Sequence, residues 1–326
     1  VTGGNLYATG DDTWTGNVLF GTSSGYSVFR YRPNFGSSLR MTGDLTSLGQ
    51  GEIHVTNSGR TILDGTTTLS NSFNNLVIVQ SGALEVNGSL VNPLQRVQIG
   101  NGTLEGSGSI VSNQSDPNYR VRLEGSATLS PGPAGGTGVL TVGNSLRFFN
   151  SGNQVKIDIN GANVGTQYDQ VNVTGDIDLG GAALNVSLGY AAIVGSSYTI
   201  INNDGTDAVV GTFAGLGEGG QVTINGHTFQ ISYVGGTGND VVLTAVNGLP
   251  IGTVTSAAVI NNKLVIADSS TSGKNDNLKV SFDGTNYTIQ DTSTPTANTI
   301  QYVNISGATG NGTSTITPVS MTGTVR

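Results

Sequence analysis

The nine residues from Gly235 to Leu243, GGTGNDVVL, match the G-G-x-G-x-D-x-U-x pattern of calcium-binding β-rolls at every specified position. Calcium takes about six to eight oxygen ligands, whereas this stretch offers one carboxylate, Asp240, and a few turn carbonyls. A β-roll site needs a second stacked copy, and none is adjacent. Gly-Gly-Thr-Gly recurs at 135–138, but Leu140 takes the position of the aspartate there. We therefore predict a hairpin loop with Asn239 and Asp240 as turn residues rather than a calcium site, and we predict no cofactor.

Two pairs of aspartates could act as acid and base, because polysaccharide-cleaving β-helices carry paired carboxylates on their outer face. Asp11 and Asp12 are adjacent, but the Asn-Thr-Asp, Gly-His-Gly and Arg-Ile-Lys elements of the pectin-cleaving hydrolases do not occur in the sequence. Asp176 and Asp178 alternate with apolar residues, so both carboxylates point from one face of a strand, about 7 Å apart, where they could hold a metal or a sugar. We expect a solvated outer face there.

The remaining residues that could support catalysis are two histidines and two cations. His54 and His227 fall in expected strands with no carboxylate next to them in the sequence, and we predict that both are ordinary sheet residues. A lyase of this kind needs a basic residue near acidic ligands. Arg147 and Lys156 are the cations nearest to the second aspartate pair, and the sequence shows no partner cluster for them. We therefore predict no catalytic residue.

Aromatic residues near the amino terminus are candidates for stacking on sugar rings. Trp14 is the lone tryptophan, and the run from Gly25 to Phe35, GYSVFRYRPNF, interleaves Arg30 and Arg32 with aromatic residues. A cap over the first coil of a repeat fold would use the same residues, and terminal repeats are atypical in sequence, as this run is. We predict the cap.

The composition favours a repetitive all-β fold without disulfides. The chain has 326 residues, 50 of them glycine, with 10% charged residues and no cysteine. Its net charge of −8, with 13 Lys and Arg, would repel a phosphate backbone, so we expect no nucleic-acid partner. No apolar run approaches the roughly 20 residues of a membrane span, so no transmembrane segment is predicted. We expect that any export signal was removed or lies upstream.

An approximate repeat indicates how the chain is built. SGALEVNGSLV, Ser81 to Val91, aligns with NGTLEGSGSIV, Asn101 to Val111, at an offset of 20 residues, and a degenerate third copy runs from Gly125 to Gly132. A period near 20 with short strands predicts a solenoid in which each coil adds one rung to continuous sheets. The expected strands include the alternating triplets at 77–79, 97–99 and 121–123.

The pattern changes toward the carboxyl terminus. Asn225-Gly226 lies between two alternating runs, which predicts a hairpin and three antiparallel strands near 221–224, 227–234 and 241–245. Such a meander would cover the last rung of the solenoid. Pro250 and nearby glycines suggest a linker, after which Asp283-Gly284 predicts another hairpin. We assign 1–196 to a β-helix with atypical amino-terminal coils, 197–246 to an antiparallel β cap and 247–326 to a separate, small and truncated β module.

Several stretches resemble bacterial autotransporter-type passenger β-helices, and in particular the surface proteins with autotransporter-associated β-strand repeats. The resemblance covers roughly residues 75 to 245. Its most specific elements are the Leu-Ser-Pro-Gly corner at 129–132, the Tyr-Asp-Gln-Val segment at 168–171 and the block that begins YTIINNDGTD at Tyr198. It implies a right-handed parallel β-helix that is secreted or displayed at the cell surface as a stalk or adhesion platform. It carries no catalytic residues over to this chain.

The sequence therefore predicts an all-β, right-handed parallel β-helix with a hairpin-rich antiparallel cap and a small β module behind it. We expect a structural or adhesive extracellular protein, associated with the outer membrane, whose partners are polysaccharides or neighbouring cell surfaces. The alternative is a carbohydrate-active β-helix that binds or cleaves acidic polysaccharide.

Overall fold

The computed structural model describes residues 4–21, 27–69, 76–91, 96–111, 121–190, 192–247, 255–260, 263–268, 278–282, 287–291, 300–303 and 315–319. The described residues are all-β, and they include no helix. Between residues 4 and 247, the described residues form a parallel β-helix, in which each coil adds one strand to each of three sheets, and an antiparallel end of three strands. The predicted all-β solenoid is thus confirmed.

Sheets A and B each contain eight parallel strands. The strands of sheet A are β1 (Gly4–Ala8), β4 (Ser27–Pro33), β7 (Gly51–Val55), β10 (Leu76–Val79), β13 (Val97–Ile99), β16 (Val121–Leu123), β19 (Leu146–Phe148) and β22 (Ile177–Asp178). The strands of sheet B are β2 (Asp12–Trp14), β5 (Ser38–Met41), β8 (Arg60–Leu63), β11 (Ala83–Val86), β14 (Thr103–Gly106), β17 (Thr128–Pro131), β20 (Gln154–Ile159) and β23 (Ala183–Leu188).

Sheet C has eleven strands, of which the three at its carboxyl-terminal end are antiparallel. Its parallel strands are β3 (Val18–Phe20), β6 (Leu45–Ser47), β9 (Thr66–Thr68), β12 (Ser89–Val91), β15 (Ser109–Val111), β18 (Val139–Gly143), β21 (Gln170–Val173) and β24 (Ser197–Asn203). The antiparallel strands are β25 (Gln221–Ile224), β26 (His227–Gly235) and β27 (Asp240–Asn247).

The core is a set of apolar columns that run through successive coils. Leu84, Leu104 and Leu129 are partners on neighbouring strands of sheet B, and each is fully buried. Full burial of a leucine contributes about 1.5–3 kcal/mol, so the columns supply stability that no single coil could provide. The offset of 20 residues is confirmed where β11 meets β14, because Leu84 pairs with Leu104.

Glycines of successive coils allow the backbone to stack closely at the corner between sheets B and C. A Cβ atom on Gly88 would lie 2.2 Å from the carbonyl oxygen of Gly65 in the coil before it. A Cβ atom on Gly108 would lie 2.1 Å from the carbonyl oxygen of Gly88. No side chain fits at these distances, so the repeated glycines allow the backbones of successive coils to stack at the corner.

The predicted amino-terminal cap is wrong. Strand β4 lies between β1 and β7 in parallel register, so residues 27–33 of the run GYSVFRYRPNF belong to the second coil rather than to a cover over the first. Phe29 and Tyr31 point into the core, where their rings pack edge to face with centroids 5.2 Å apart. Val28, Arg30 and Arg32 take the alternate positions of β4, which point outward. The arginine and aromatic residues alternate because a strand alternates its two faces.

The antiparallel end of sheet C confirms the predicted hairpin. Strands β25 and β26 pair through Ile224 and His227, and the turn residues Asn225 and Gly226 both have positive φ, 50° and 82°. Phe229 of β26 packs edge to face on Tyr198 of the last parallel strand, with ring centroids 6.0 Å apart. The meander therefore continues the apolar core past the last coil.

Further strands follow from residue 255 and form two three-stranded sheets. One sheet contains β28 (Thr255–Ile260), β29 (Lys263–Asp268) and β32 (Ile300–Val303), and the other contains β30 (Leu278–Phe282), β31 (Tyr287–Asp291) and β33 (Thr315–Val319). Strands β30 and β31 are antiparallel, as the second hairpin signal predicts, while its turn residues Asp283 and Gly284 lie outside the described residues. The predicted linker at Pro250 also lies outside them. None of the described segments is a helix that could cross a membrane.

Candidate functional site

The loop that carries the β-roll pattern joins β26 to β27, and its acidic residue is engaged by the backbone. Asp240 is buried, and its Oδ1 accepts a hydrogen bond of 2.9 Å from the N–H of Asn203. The neighbouring amide of Asn239 donates to the carbonyl oxygens of Asp204 and Asp207 at 2.9 and 3.1 Å. Both side chains thus fasten the loop to the chain that follows β24. Asn239 and Asp240 therefore act as turn residues, in agreement with the predicted hairpin loop.

Asp178, in β22, and Asp176, which directly precedes β22, do not act as a pair. Asp176 is exposed, whereas Asp178 lies 3.2 Å from Nε of Arg147 on the neighbouring strand of sheet A. Arg147 and Asp178 are partners in register, one coil apart. Arg147 thus has one acidic partner that the sequence does not show. Its partner lies 31 positions along the chain, beyond the reach of local sequence reading.

An aromatic ring links this pair to a second ion pair on sheet A. The guanidinium carbon of Arg122 lies 4.3 Å from the ring centroid of Phe149, and that of Arg147 lies 4.6 Å from it. Arg122 pairs with Glu124 at 2.6 Å. Each cation–π contact at a partly exposed site is worth about 0.5–1 kcal/mol. Phe149 separates two like charges that the register places on adjacent strands.

The two histidines have different surroundings. On the outer face of β7, Nε2 of His54 lies 2.6 Å from a carboxylate oxygen of Glu52. Residues two apart on a strand share a face, which brings these side chains together. His227 is buried at the start of β26, and neither ring nitrogen makes a hydrogen bond of regular geometry. Burial lowers the pKa of its imidazole, which the backbone of Ala192 only partly opposes.

The amino-terminal candidates are spread over two sheets. Asp11 accepts hydrogen bonds from the N–H and the hydroxyl of Ser38 at 2.9 and 2.8 Å, so it holds two coils together. Asp12 is exposed and does not share these contacts. Trp14 is 45% exposed on sheet B, and Arg32 donates to the Tyr7 hydroxyl at 3.2 Å on sheet A.

Two buried glutamates on the outer side of sheet B were not singled out by sequence reasoning. Glu85 and Glu105 are partners on adjacent strands of sheet B, both buried on its outer side. The Arg60 guanidinium lies 3.0 Å from an oxygen of each. Asn87 donates to Glu85 at 2.8 Å. The repeat alignment places the glutamates at the same position, which is the signal that could have revealed them.

Arg60, Glu85 and Glu105 form a cluster in which electrostatics favour one ionised carboxylate rather than two. Burial raises the pKa of Glu105 to about 7, Arg60 opposes that rise, and the charge of Glu85 adds to it. A polar groove of about 490 Å³ lies beside the same arginine and is lined in part by Ser38, Ser58 and Thr103. The cluster therefore titrates near neutral pH, next to a groove with one cation at its edge.

A second buried carboxyl lies in the Tyr-Asp-Gln-Val segment. Asp169 accepts hydrogen bonds from the N–H groups of Gly138 and Asp158, both at 2.8 Å. Burial raises the pKa of Asp169 to about 7 against these two donors. Asp169 thus joins three stretches of backbone, which explains why a distinctive sequence marks this corner. Among the described residues there is no cluster of three or more side chains suited to a metal ion.

No protein-family model and no curated protein matches this chain.

Proposed function

We propose that this chain is the structural or adhesive solenoid of a secreted or cell-surface protein, of the kind found in bacterial autotransporter passengers. The observation that carries the proposal is the in-register stacking of eight parallel strands in each of sheets A and B. Stacked coils of this kind form rigid rods whose sides present extended surfaces. Such a rod suits a part that holds a binding surface away from a cell.

Contacts between outward side chains support the same role, because they join one coil to the next. Arg147 contacts Asp178 across sheet A, as described above. On sheet C, the hydroxyl of Ser109 donates to that of Ser89 at 3.2 Å. These contacts run along the rod, the direction in which a stalk is loaded.

Antibody labelling of intact cells that produce the full-length protein tests the location. We expect labelling without permeabilisation, and loss of the signal after brief protease treatment of intact cells. Labelling that requires permeabilisation would contradict the proposal. Adhesion is tested separately with beads coated with the folded chain, against beads coated with heat-unfolded chain as the matched control.

A second candidate function is the binding of acidic polysaccharide to sheet A. It is favoured by Arg122 and Arg147, whose guanidinium groups flank an aromatic ring that is 38% exposed. Electrophoresis in gels that contain polygalacturonate tests it, with dextran as the neutral polymer. Retardation that is lost in the double variant R122Q/R147Q but kept in R40Q, which alters a sheet B arginine, would support it. The same samples, assayed for new reducing ends, would detect cleavage.

A further inference from the structure

The last strand of sheet B differs from the last parallel strands of the other two sheets. In sheet A, the ladder continues past β22 because the N–H of Val210 donates to Ile177, and its carbonyl accepts from Leu179, both at 2.9 Å. In sheet C, β27 pairs with β24. In sheet B, β20 is the only strand that pairs with β23 among the described residues. Within the described part of the chain, one side of β23 is therefore an open sheet edge.

The direction of the backbone groups shows which residues form this edge. The N–H groups of Ala183 and Gly189 donate to β20 at 2.9 and 2.8 Å, so alternate residues starting at Ala183 face that strand. In a parallel pair, the N–H and C=O of one residue point to the same side. Leu184 and Val186 therefore point both groups away from β20, and neither residue has a hydrogen-bond partner on that side within the described chain.

The cap uses both ends of this edge and leaves its middle open. The carbonyl of Ala182 accepts a hydrogen bond of 2.9 Å from the N–H of Ala214. The carbonyl of Leu188 accepts one of 3.0 Å from the side-chain amide of Asn225. The unused donors and acceptors are thus confined to a short stretch between two fixed points.

A groove of about 390 Å³ lies along this stretch. Leu184 and Val186 line it from β23, and Val222 and Ile224 line it from β25. All four are partly buried apolar side chains that pack against the core. The volume lies within the range of about 300–1,000 Å³ that ligand sites occupy. The groove is also lined by four polar or charged side chains, Lys156, Asp158, Asn185 and Ser187, so it combines apolar and polar side chains with unpaired backbone groups.

We propose that this groove binds an extended segment of another polypeptide chain, which pairs with β23 as an added strand of sheet B. An extended backbone presents donors and acceptors at the spacing that Leu184 and Val186 require, and such strand addition is an established mode of peptide recognition. The pairing is sequence-tolerant, because its hydrogen bonds are made by the main chain.

The columns of sheet B define the side chains of this partner. Val155 lies in register with Leu184, and Ile157 lies in register with Val186, so each inward position of β23 is covered by an apolar residue on its β20 side. A strand on the open side meets the same two positions. The partner therefore carries two apolar residues separated by one residue that points to solvent.

A peptide that copies β20 is a suitable probe, because this strand already pairs with β23 on the other side. We use acetylated and amidated NQVKIDIN, residues 153–160, labelled with fluorescein, and measure its anisotropy as the chain is added. We expect saturable binding. An added strand uses one edge of the peptide, so N-methylation of one set of alternate amides abolishes binding, and methylation of the other set leaves it intact. Absence of binding at millimolar concentration would overturn the proposal.

The variant Val186→Pro removes one free N–H and leaves the bonds to β20 untouched, as proline is tolerated at a sheet edge. We expect it to weaken peptide binding at least about tenfold through the lost hydrogen bond and the steric block. Thr141→Ala is the control, since it changes an outward side chain of sheet C that does not line the groove and keeps every N–H. Equal affinity of V186P and the unmodified chain would refute the assignment.

Hydrogen exchange on the unmodified chain decides the question even if V186P does not fold. The amides of Leu184 and Val186 are expected to exchange fast in the free chain, and those of Asn185 and Ser187 slowly. The peptide is expected to slow the first pair. The edge is not the site if the amides of Leu184 and Val186 are protected from exchange without peptide. The same conclusion holds if the peptide binds and leaves these two amides unprotected.

Discussion

Replacing Glu105 by glutamine is expected to remove a specific pH dependence of stability. Burial raises the pKa of this carboxyl from 4.5 to about 7, so the folded chain favours its protonated form. The stability that Glu105 contributes is therefore fully present below its unfolded pKa and is lost as pH rises through about 7. The size of the loss follows from the shift and amounts to about 3 kcal/mol over this window. Glutamine does not ionise and keeps the shape of the side chain.

Urea unfolding of both chains between pH 5 and pH 8.5 measures this effect. We expect the free energy of unfolding of the unmodified chain, relative to E105Q, to be lower at pH 8.5 than at pH 5 by about 3 kcal/mol. Asp169 titrates near the same pH in both chains, so it cancels in the difference. Glu124→Gln, which removes a glutamate from an ion pair on sheet A, is the matched control. Parallel curves for E105Q and the unmodified chain would refute the view that burial raises the pKa of Glu105 in the folded chain.

Three further changes test other parts of the structure by thermal or urea unfolding. Gly88→Ala places a Cβ 2.2 Å from a carbonyl oxygen of the preceding coil, and we expect it to lower the free energy of unfolding by about 1–3 kcal/mol. Gly217→Ala is the control, because its Cβ meets no atom within 4 Å, and we expect it to be nearly neutral. Phe149→Ala removes two cation–π contacts and is expected to cost about 1–2 kcal/mol beyond its lost apolar burial. Asp240→Ala leaves the buried N–H of Asn203 without an acceptor and is expected to cost about 1–3 kcal/mol, equally with and without calcium. A loss that appears only when calcium is present would instead favour a metal site at this loop.

The features of the fold that the sequence predicts are those that depend on local periodicity. Alternation at 77–79, 97–99 and 121–123 identified three strands of sheet A, and Asn225-Gly226 identified the hairpin of the cap. The offset of 20 residues aligned two coils correctly. Each of these signals arises within one strand, one turn or one repeat, so a local reading of the chain contains it.

Contacts between coils are harder to predict, because coil length varies along the chain. Glu85 and Glu105 are partners 20 residues apart, whereas Arg147 and Asp178 are partners 31 apart. An error of one residue in coil length moves a side chain to the opposite face of the sheet. The ion pairs of sheet A and the open edge of β23 depend on these lengths, and local sequence patterns do not determine them.

The stacking that makes such a chain recognisable also limits how closely its repeats can resemble one another. In register, identical positions of successive coils meet across a strand spacing of about 4.8 Å, and like charges placed there repel. Glu85 and Glu105 show the consequence, since one arginine and a raised pKa are needed to accommodate two stacked glutamates. A third glutamate in the next coil would have to be buried beside the same cluster. Ser130 takes that position instead, in register with Glu105. The third copy of the repeat thus carries serine instead of glutamate at a position where a further buried charge would destabilise the fold.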